Sequence, residues 1–314
     1  MTKKNLRYFD ILEAKKAYSE NRNVTELLRS QKKVNLNTSE IIETAYDLQA
    51  GTYINHVKKN PIQAKLYSME LAEILDKHVK STHTLLDIGT GELTTLSSVI
   101  TQLSRKPNAI YAFDISWSRI FKGMAYAKKN MASTYNLLKL FVGDINEISL
   151  LNKSVNITTS SHALEPNGKR LKDLMNELFR VTIDKLILFE PCFEINSKEG
   201  KRRMNKLGYI KNIDGVVKEL GGKMREKIIL KNSINPLNPT VCFIITPPSI
   251  GVNSLKMRKD KSNLFSVPGT NIPLKKITNF YFSNETGLCF PILKDIPIFK
   301  SNSSILASAL SKQT

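Results

Sequence analysis

The chain has 314 residues, a hydrophobic fraction of 41% and a charged fraction of 24%, so it can bury a sizeable core and is not intrinsically disordered over most of its length. Its 47 Lys+Arg against 28 Asp+Glu give a net charge of +19, yet 36 of the cations are Lys and only 11 are Arg, spread along the chain. No apolar run reaches the roughly 18–20 residues that span a bilayer, and MTKKNLRYFDILEAKK lacks an apolar signal-peptide region, so a cytoplasmic protein without membrane contact is expected.

In chain order, the first 80 residues read as a helical cap. Tyr8–Glu20, Val24–Gln31 and Glu40–Ala50 carry apolar residues at three- and four-residue spacings, Thr38-Ser39-Glu40 has the form of a helix start, and a further helix is expected from Pro61 to about Val79. From residue 81 to 250 short apolar runs alternate with helical stretches: THTLLDIG, NAIYAFDIS, NLLKLFVGD, SVNITTSSHAL and KLILFEPC, then MREKIILKN and TVCFIITPP. This predicts an α/β fold with about seven mostly parallel strands in one Rossmann-like sheet, helices on both faces, and the last two strands antiparallel. Residues 251–262 read as a basic linker, and residues 263–314 as a small β-rich appendage.

The three cysteines, Cys192, Cys242 and Cys289, are about 50 residues apart and form no CxxC pair, so neither a disulfide framework nor a metal site is expected. The strongest local signal is Asp87-Ile88-Gly89-Thr90-Gly91-Glu92, where a strand should end and a helix begin. Glycines there allow a tight turn and close approach of a ligand to the backbone. Asp114 ends the next strand, 23 residues beyond Gly91, with Ile115 after it; Asp144 and Ile145 end the strand after that. Three acids at successive strand ends fall on the carboxyl edge of an open α/β sheet, the edge that binds ligands. No GxxxxGK[ST] loop exists, Thr94 stands where a dinucleotide fingerprint would end, and Glu92 is ill suited to a pyrophosphate. An acid-rich pocket without a phosphate cradle favours a positively charged nucleoside, of which S-adenosylmethionine (SAM) is one.

LLDIGTGELTTL, FDIS and FVGDI resemble the first three motifs of the class I SAM-dependent methyltransferases, with Leu93 in place of a frequent third glycine. The resemblance covers roughly residues 45–250 and implies SAM as methyl donor, Asp87, Gly89, Gly91 and Glu92 in the first motif, Asp114 on the ribose, and Asp144 at the adenine amino group with Ile145 beside the ring. It also implies that Ser160, at the end of the fourth strand, lies beside the methyl group and that Tyr53, with Tyr46 and Gln49, caps the methionine end. The acceptor chemistry is expected in the loop Ser161-His162-Ala163-Leu164-Glu165, with His162 taking a proton and Glu165 orienting it or holding an amine. Glu190 and Glu194 read either as facing the same pocket or as serving a turn, and Cys192 is read as a buried turn residue. Lys201-Arg202-Arg203 and Lys206 read either as a solvated face or as the partner of an anionic acceptor.

The Asn/Asp-Pro-Pro-aromatic tetrad of the adenine-N methyltransferases is missing, since Thr246-Pro247-Pro248-Ser249 lies at the wrong strand. The stretch from Thr286 to Phe299 weakly resembles half of the zinc-ribbon methyltransferase activator domains, without their paired cysteines. The function these features imply is methyl transfer from SAM to O or N of a small-molecule acceptor such as a sugar or a precursor of a surface polysaccharide or secondary metabolite. An RNA methyltransferase is the alternative, in keeping with the net charge and the tail; a non-catalytic SAM-binding scaffold is the second.

Overall fold

The computed structural model describes residues 6–35, 37–233, 235–249 and 263–312; the expected linker at 251–262 lies outside these. Five helices come first: α1 (Leu6–Ser19), α2 (Val24–Lys32), α3 (Ser39–Leu48), α4 (Thr52–Lys59) and α5 (Pro61–Asp76). Their starts follow local chemistry. The Asn23 side chain accepts from Glu26 N at 3.1 Å and the Thr38 hydroxyl accepts from Ile41 N at 3.3 Å, each supplying a partner for a first-turn N–H. α1, α2 and α3 share a small core of Ala14, Ala17, Val24, Leu28, Ile41 and Ala45, whereas α5 buries Tyr67, Leu71 and Leu75 against the sheet side.

The sheet is built from β1 (Thr84–Ile88), β2 (Ala109–Asp114), β3 (Leu138–Gly143), β4 (Val155–Ser161), β5 (Thr182–Pro191), β6 (Lys223–Ile229) and β7 (Thr240–Thr246), in the order β6-β7-β5-β4-β1-β2-β3. β1 to β5 run parallel; β7 pairs antiparallel with both β5 and β6. The interleaved helices are α6 (Thr94–Gln102), α7 (Trp117–Met131), α8 (Leu171–Val181), α9 (Lys198–Leu207) and α10 (Ile213–Glu219). The expected Rossmann-like α/β fold is thus present. Reversal of strand order at β1, with β2 on one side and β4 on the other, creates the crevice at the carboxyl edge where such sheets bind ligands.

The tail adds β8 (Lys275–Ile277), β9 (Phe280–Phe282), β10 (Leu288–Leu293), β11 (Ile296–Phe299) and β12 (Ile305–Leu306). β11 lies parallel to β3, with Ile298 opposite Val142 and Phe299 opposite Gly143, so the sheet continues through β11 into β10, β9 and β8. An uncovered β3 would leave a row of unpaired backbone groups. Aromatic packing fixes the joint: the Phe299 ring lies 4.8 Å from Phe265, 4.9 Å from Tyr281 and 5.7 Å from Phe141. Among the described residues no cluster of His, Cys, Asp or Glu is placed to hold a metal, and no helix is long and apolar enough to cross a membrane.

Phe299 is fully buried. Truncation by Phe299→Ala is expected to cost about 3–5 kcal/mol, read as a lower urea midpoint. Because the ring joins tail to sheet, the loss should appear in a single transition for the whole chain.

Candidate functional site

The turn from β1 to α6 is strained where a ligand would approach. Gly89 and Gly91 have φ of +61° and +55°, and a Cβ on Gly89 would stand 2.5 Å from that of Ala163. Leu93 adopts φ +59° although it is not glycine, a cost of roughly 1–2 kcal/mol set against complete burial of its side chain.

Asp114 accepts from Gly91 N at 2.9 Å and from Ser116 N at 2.9 Å, which ties the end of β2 to the glycine turn. Asp144 accepts from Asn146 N at 2.9 Å. Burial pushes the Asp87 carboxyl up to about 7, with Thr90 opposing and Asp114 reinforcing the shift. Burial raises Asp114 as well, against the pull of Arg119 and of the backbone N–H groups.

Glu92 is 1% exposed. Its Oε1 accepts from Gly51 N at 2.9 Å and Tyr53 N at 3.3 Å, and its Oε2 from Ile54 N at 2.9 Å, so the carboxylate caps α4. α3 is strapped to the same edge. Asp47 accepts from Ser116 Oγ at 2.7 Å and from Ser118 N at 3.2 Å; Lys300 Nζ meets Glu43 at 2.6 Å; Asn37 Nδ2 donates to Pro166 O at 3.0 Å. These contacts hold α3 and α4 as a lid across the strand ends.

Under the lid lies Arg119, which the sequence reading did not single out. It is 5% exposed, with its guanidinium 4.6 Å from the Tyr46 ring centroid and 4.7 Å from that of Tyr53. Nε donates to Tyr46 O at 3.2 Å, Nη2 is buried without a hydrogen-bond partner, and no carboxylate among the described residues pairs with it. Its sequence signal is faint: a cation in the first turn of a helix behind the Ser116 cap, where an acid would be electrostatically favoured.

At the end of β4, Ser160 Oγ donates to Glu190 Oε1 at 2.7 Å, and Ala163 N and Leu164 N donate to the same oxygen at 3.0 and 3.1 Å. Glu190 is fully buried, Oε2 has no partner, and burial lifts its carboxyl to about 7 against the opposing pull of His162 and Ser160. His162 has φ +58°; its Nδ1 lies 2.9 Å from Glu165 Oε2 and its Nε2 2.9 Å from Thr240 Oγ1. Asn238 Nδ2 donates to the same Glu165 oxygen at 3.0 Å. Burial works against the histidine's charge, but the Glu165 carboxylate, with Glu190 behind it, raises the imidazole above its ordinary range.

Beside Glu165 stands Tyr209, raised by burial and by that carboxylate, with the Arg203 guanidinium 5.5 Å from its ring centroid. Glu194, by contrast, accepts from Asn212 N at 2.7 Å and from the Cys192 thiol, and Cys192 is buried with its thiol raised. Those two residues serve the loop after β5.

Asp87, Gly89, Gly91, Glu92, Asp114, Ile115, Asp144, Ile145, Ser160, Tyr53, His162 and Glu165 all line one cavity of about 910 Å³, joined by Tyr46, Gln49, Arg119, Arg203 and Tyr209. Cavities of roughly 300–1,000 Å³ take ligands of nucleoside or drug size. A second recess of about 290 Å³ adjoins at Ile115 and Asp144, walled by Lys300 and Ser301 of the tail.

No family model matches the chain, and no curated protein matches it in sequence. Solved structures do resemble it in fold. Magnesium protoporphyrin IX methyltransferase from Synechocystis PCC 6803, with bound S-adenosylhomocysteine (SAH), is 12% identical at TM-score 0.46, covering 60% of this chain and 83% of that one. A SAM-dependent methyltransferase from Aquifex aeolicus is 16% identical at TM-score 0.46 (62% and 97% covered), and a complex of a methyltransferase and its activator from Haloferax volcanii is 13% identical at 0.49 (62% and 94%).

Asp87 and Glu190 hold protons in the fold up to about pH 7, against about pH 4 in an unfolded chain. Between those limits the native state binds more protons, so stability falls as pH rises through the window and levels off above it. Glu190→Gln keeps an oxygen for Ser160, Ala163 and Leu164 and should flatten this slope. Urea midpoints at about pH 5 and about pH 8 check it; an unchanged slope would contradict the assignment.

Proposed function

We propose that the chain is a SAM-dependent methyltransferase acting on O or N of a small-molecule acceptor. The observation that carries this reading is the meeting of Asp87, Asp114 and Asp144, at the ends of β1, β2 and β3, with a left-handed glycine turn in one cavity. The residues present suit such a ligand. Asp114 accepts from ribose hydroxyls, Asp144 takes the adenine amino group with Ile115 and Ile145 against the ring, and Asp87 and Ser160 face the ammonium and sulfonium end. The buried Nη2 of Arg119, which lacks an acceptor, takes the carboxylate.

When bound, SAM would supply an electrophilic methyl group, which passes in line to the acceptor O or N as the C–S bond breaks and SAH leaves. The chain supplies orientation, exclusion of water under the α3–α4 lid, and a place for the proton. Glu165 is the residue for that proton: His162 Nδ1 and Asn238 Nδ2 fix its Oε2, and its side chain lines the cavity. His162, with both ring nitrogens engaged, positions Glu165 instead of taking the proton directly. Glu92 acts through the lid, since both its oxygens hold α4.

An RNA acceptor is the second reading. Lys201 and Lys211 flank the Phe193 ring at 5.7 and 4.7 Å near the basic helix α9, a cation–aromatic surface of the kind that binds a phosphate backbone. RNA binding that weakens steeply with salt would favour it.

Calorimetric titration tests the first reading. SAM should bind in the micromolar range, and Asp114→Ala should weaken it at least tenfold, about 1.4 kcal/mol; absence of binding by SAM and SAH would remove the reading. Arg119→Gln should weaken SAH about tenfold, yet alter by less than about twofold the binding of 5′-methylthioadenosine, which has no carboxylate. Equal losses for both ligands would assign Arg119 to the lid alone.

A further inference from the structure

Two guanidinium groups line the cavity without a carboxylate partner among the described residues. Arg119 enters from α7, after β2, and Arg203 from α9, after β5. β1 and β4 lie between those strands in the sheet, so the two cations approach from opposite sides of the crevice. They rest on different aromatic supports: Arg119 on Tyr46 and Tyr53, Arg203 on Tyr209. Nη1 of Arg203 is buried with no hydrogen-bond partner. A buried N–H left in that state is unfavourable, and a planar guanidinium is suited to grip an oxyanion with two parallel hydrogen bonds.

The acids on this side of the cavity do not serve it. Glu165 is engaged by His162 and Asn238 and is linked to Arg203 only through the Tyr209 hydroxyl, which bonds both, and Glu190 lies behind Ser160, off the cavity wall. SAM carries one carboxylate, and Arg119, beside Gly91 and Asp114, is the cation placed for it. The second cation is then left for the other reactant.

We infer that the acceptor carries an anionic group, a carboxylate or a phosphate, bound by Arg203 across the Tyr209 ring. This rests on the methyltransferase reading above and narrows its acceptor class. The anion is anchored by Arg203 while the nucleophilic O or N lies toward Glu165. A neutral sugar or simple alcohol would leave the guanidinium unpaired and is disfavoured.

The test uses the full chain saturated with SAH, the anion probes pyrophosphate and glucuronate, and glucose as the neutral control. Thermal shift and calorimetry should give saturable stabilisation by at least one anion and none by glucose. Arg203→Gln should weaken that response at least fivefold, Arg203→Lys should retain part of it, and Lys206→Gln, which removes an exposed charge from the same helix, should leave it intact. SAH affinity measured on each variant reports whether its site is folded, and should Arg203→Gln lose SAH binding, the graded response of Arg203→Lys decides. If SAH binds but no anion does, or if Arg203→Gln responds as the wild type does, the inference is overturned while the methyltransferase reading stands. If SAH does not bind the wild type, that reading falls first and the acceptor assignment falls with it.

Discussion

The Glu92 carboxylate joins the two halves of the site. It leaves the glycine turn after β1, is shielded from water, and accepts three backbone N–H groups from the start of α4. A helix start has N–H groups without internal partners and a partial positive charge, so a buried carboxylate can be stable there without a cationic side chain. The same contact sets the lid at a fixed height above the turn. Tyr53, one residue into α4, is thereby brought onto the Arg119 guanidinium, and Arg119 in turn reaches Tyr46 of α3. Removal of this carboxylate would release the start of α4, while Asp47 and Glu43 would still hold α3.

The cavity gathers charged side chains of both signs, several of them buried. Isolated ions are costly in such a place, and the fold answers in two ways. Some groups are tied: Glu165 by His162 and Asn238, and Glu92 by the start of α4. Others are left short of partners, namely one nitrogen on each of Arg119 and Arg203 at the cavity wall. Buried polar atoms are nearly always satisfied, which sets these two guanidinium nitrogens apart on the cavity wall.

Much of this was legible in the chain. Strand-helix alternation gave the sheet, and acids at strand ends gave the crevice, because both signals are local: a residue at the carboxyl end of a parallel strand must face that edge. The twelve residues singled out from strand ends, the motif resemblance and the loop after β4 line one cavity. What was not legible depends on contacts distant in sequence. Glu92 reads as part of a nucleotide turn until α4, about 40 residues earlier, is seen to use both its oxygens. Arg119 reads as an ordinary helix cation, because its burial is made by tyrosines of α3 and α4. His162 reads as a proton acceptor oriented by Glu165, and the partner of its second nitrogen, Thr240, lies 78 residues on.

The tail shows the same limit from the other side. Its short runs broken by Pro and Gly read as a separate β-rich piece, yet β11 takes the place beside β3. Parallel pairing with β3 sends the end of β11 toward the carboxyl edge, so Lys300 emerges next to the recess at Asp144 and meets Glu43 of α3. The N-terminal lid and the C-terminal tail therefore close on each other over the β3 end of the crevice, while the acceptor end, at β4 and β5, is bounded by α9 and the loop before β7. One end is held by the Lys300–Glu43 ion pair and the β3–β11 hydrogen bonds, and the other is lined by Arg203, Tyr209 and Asn238.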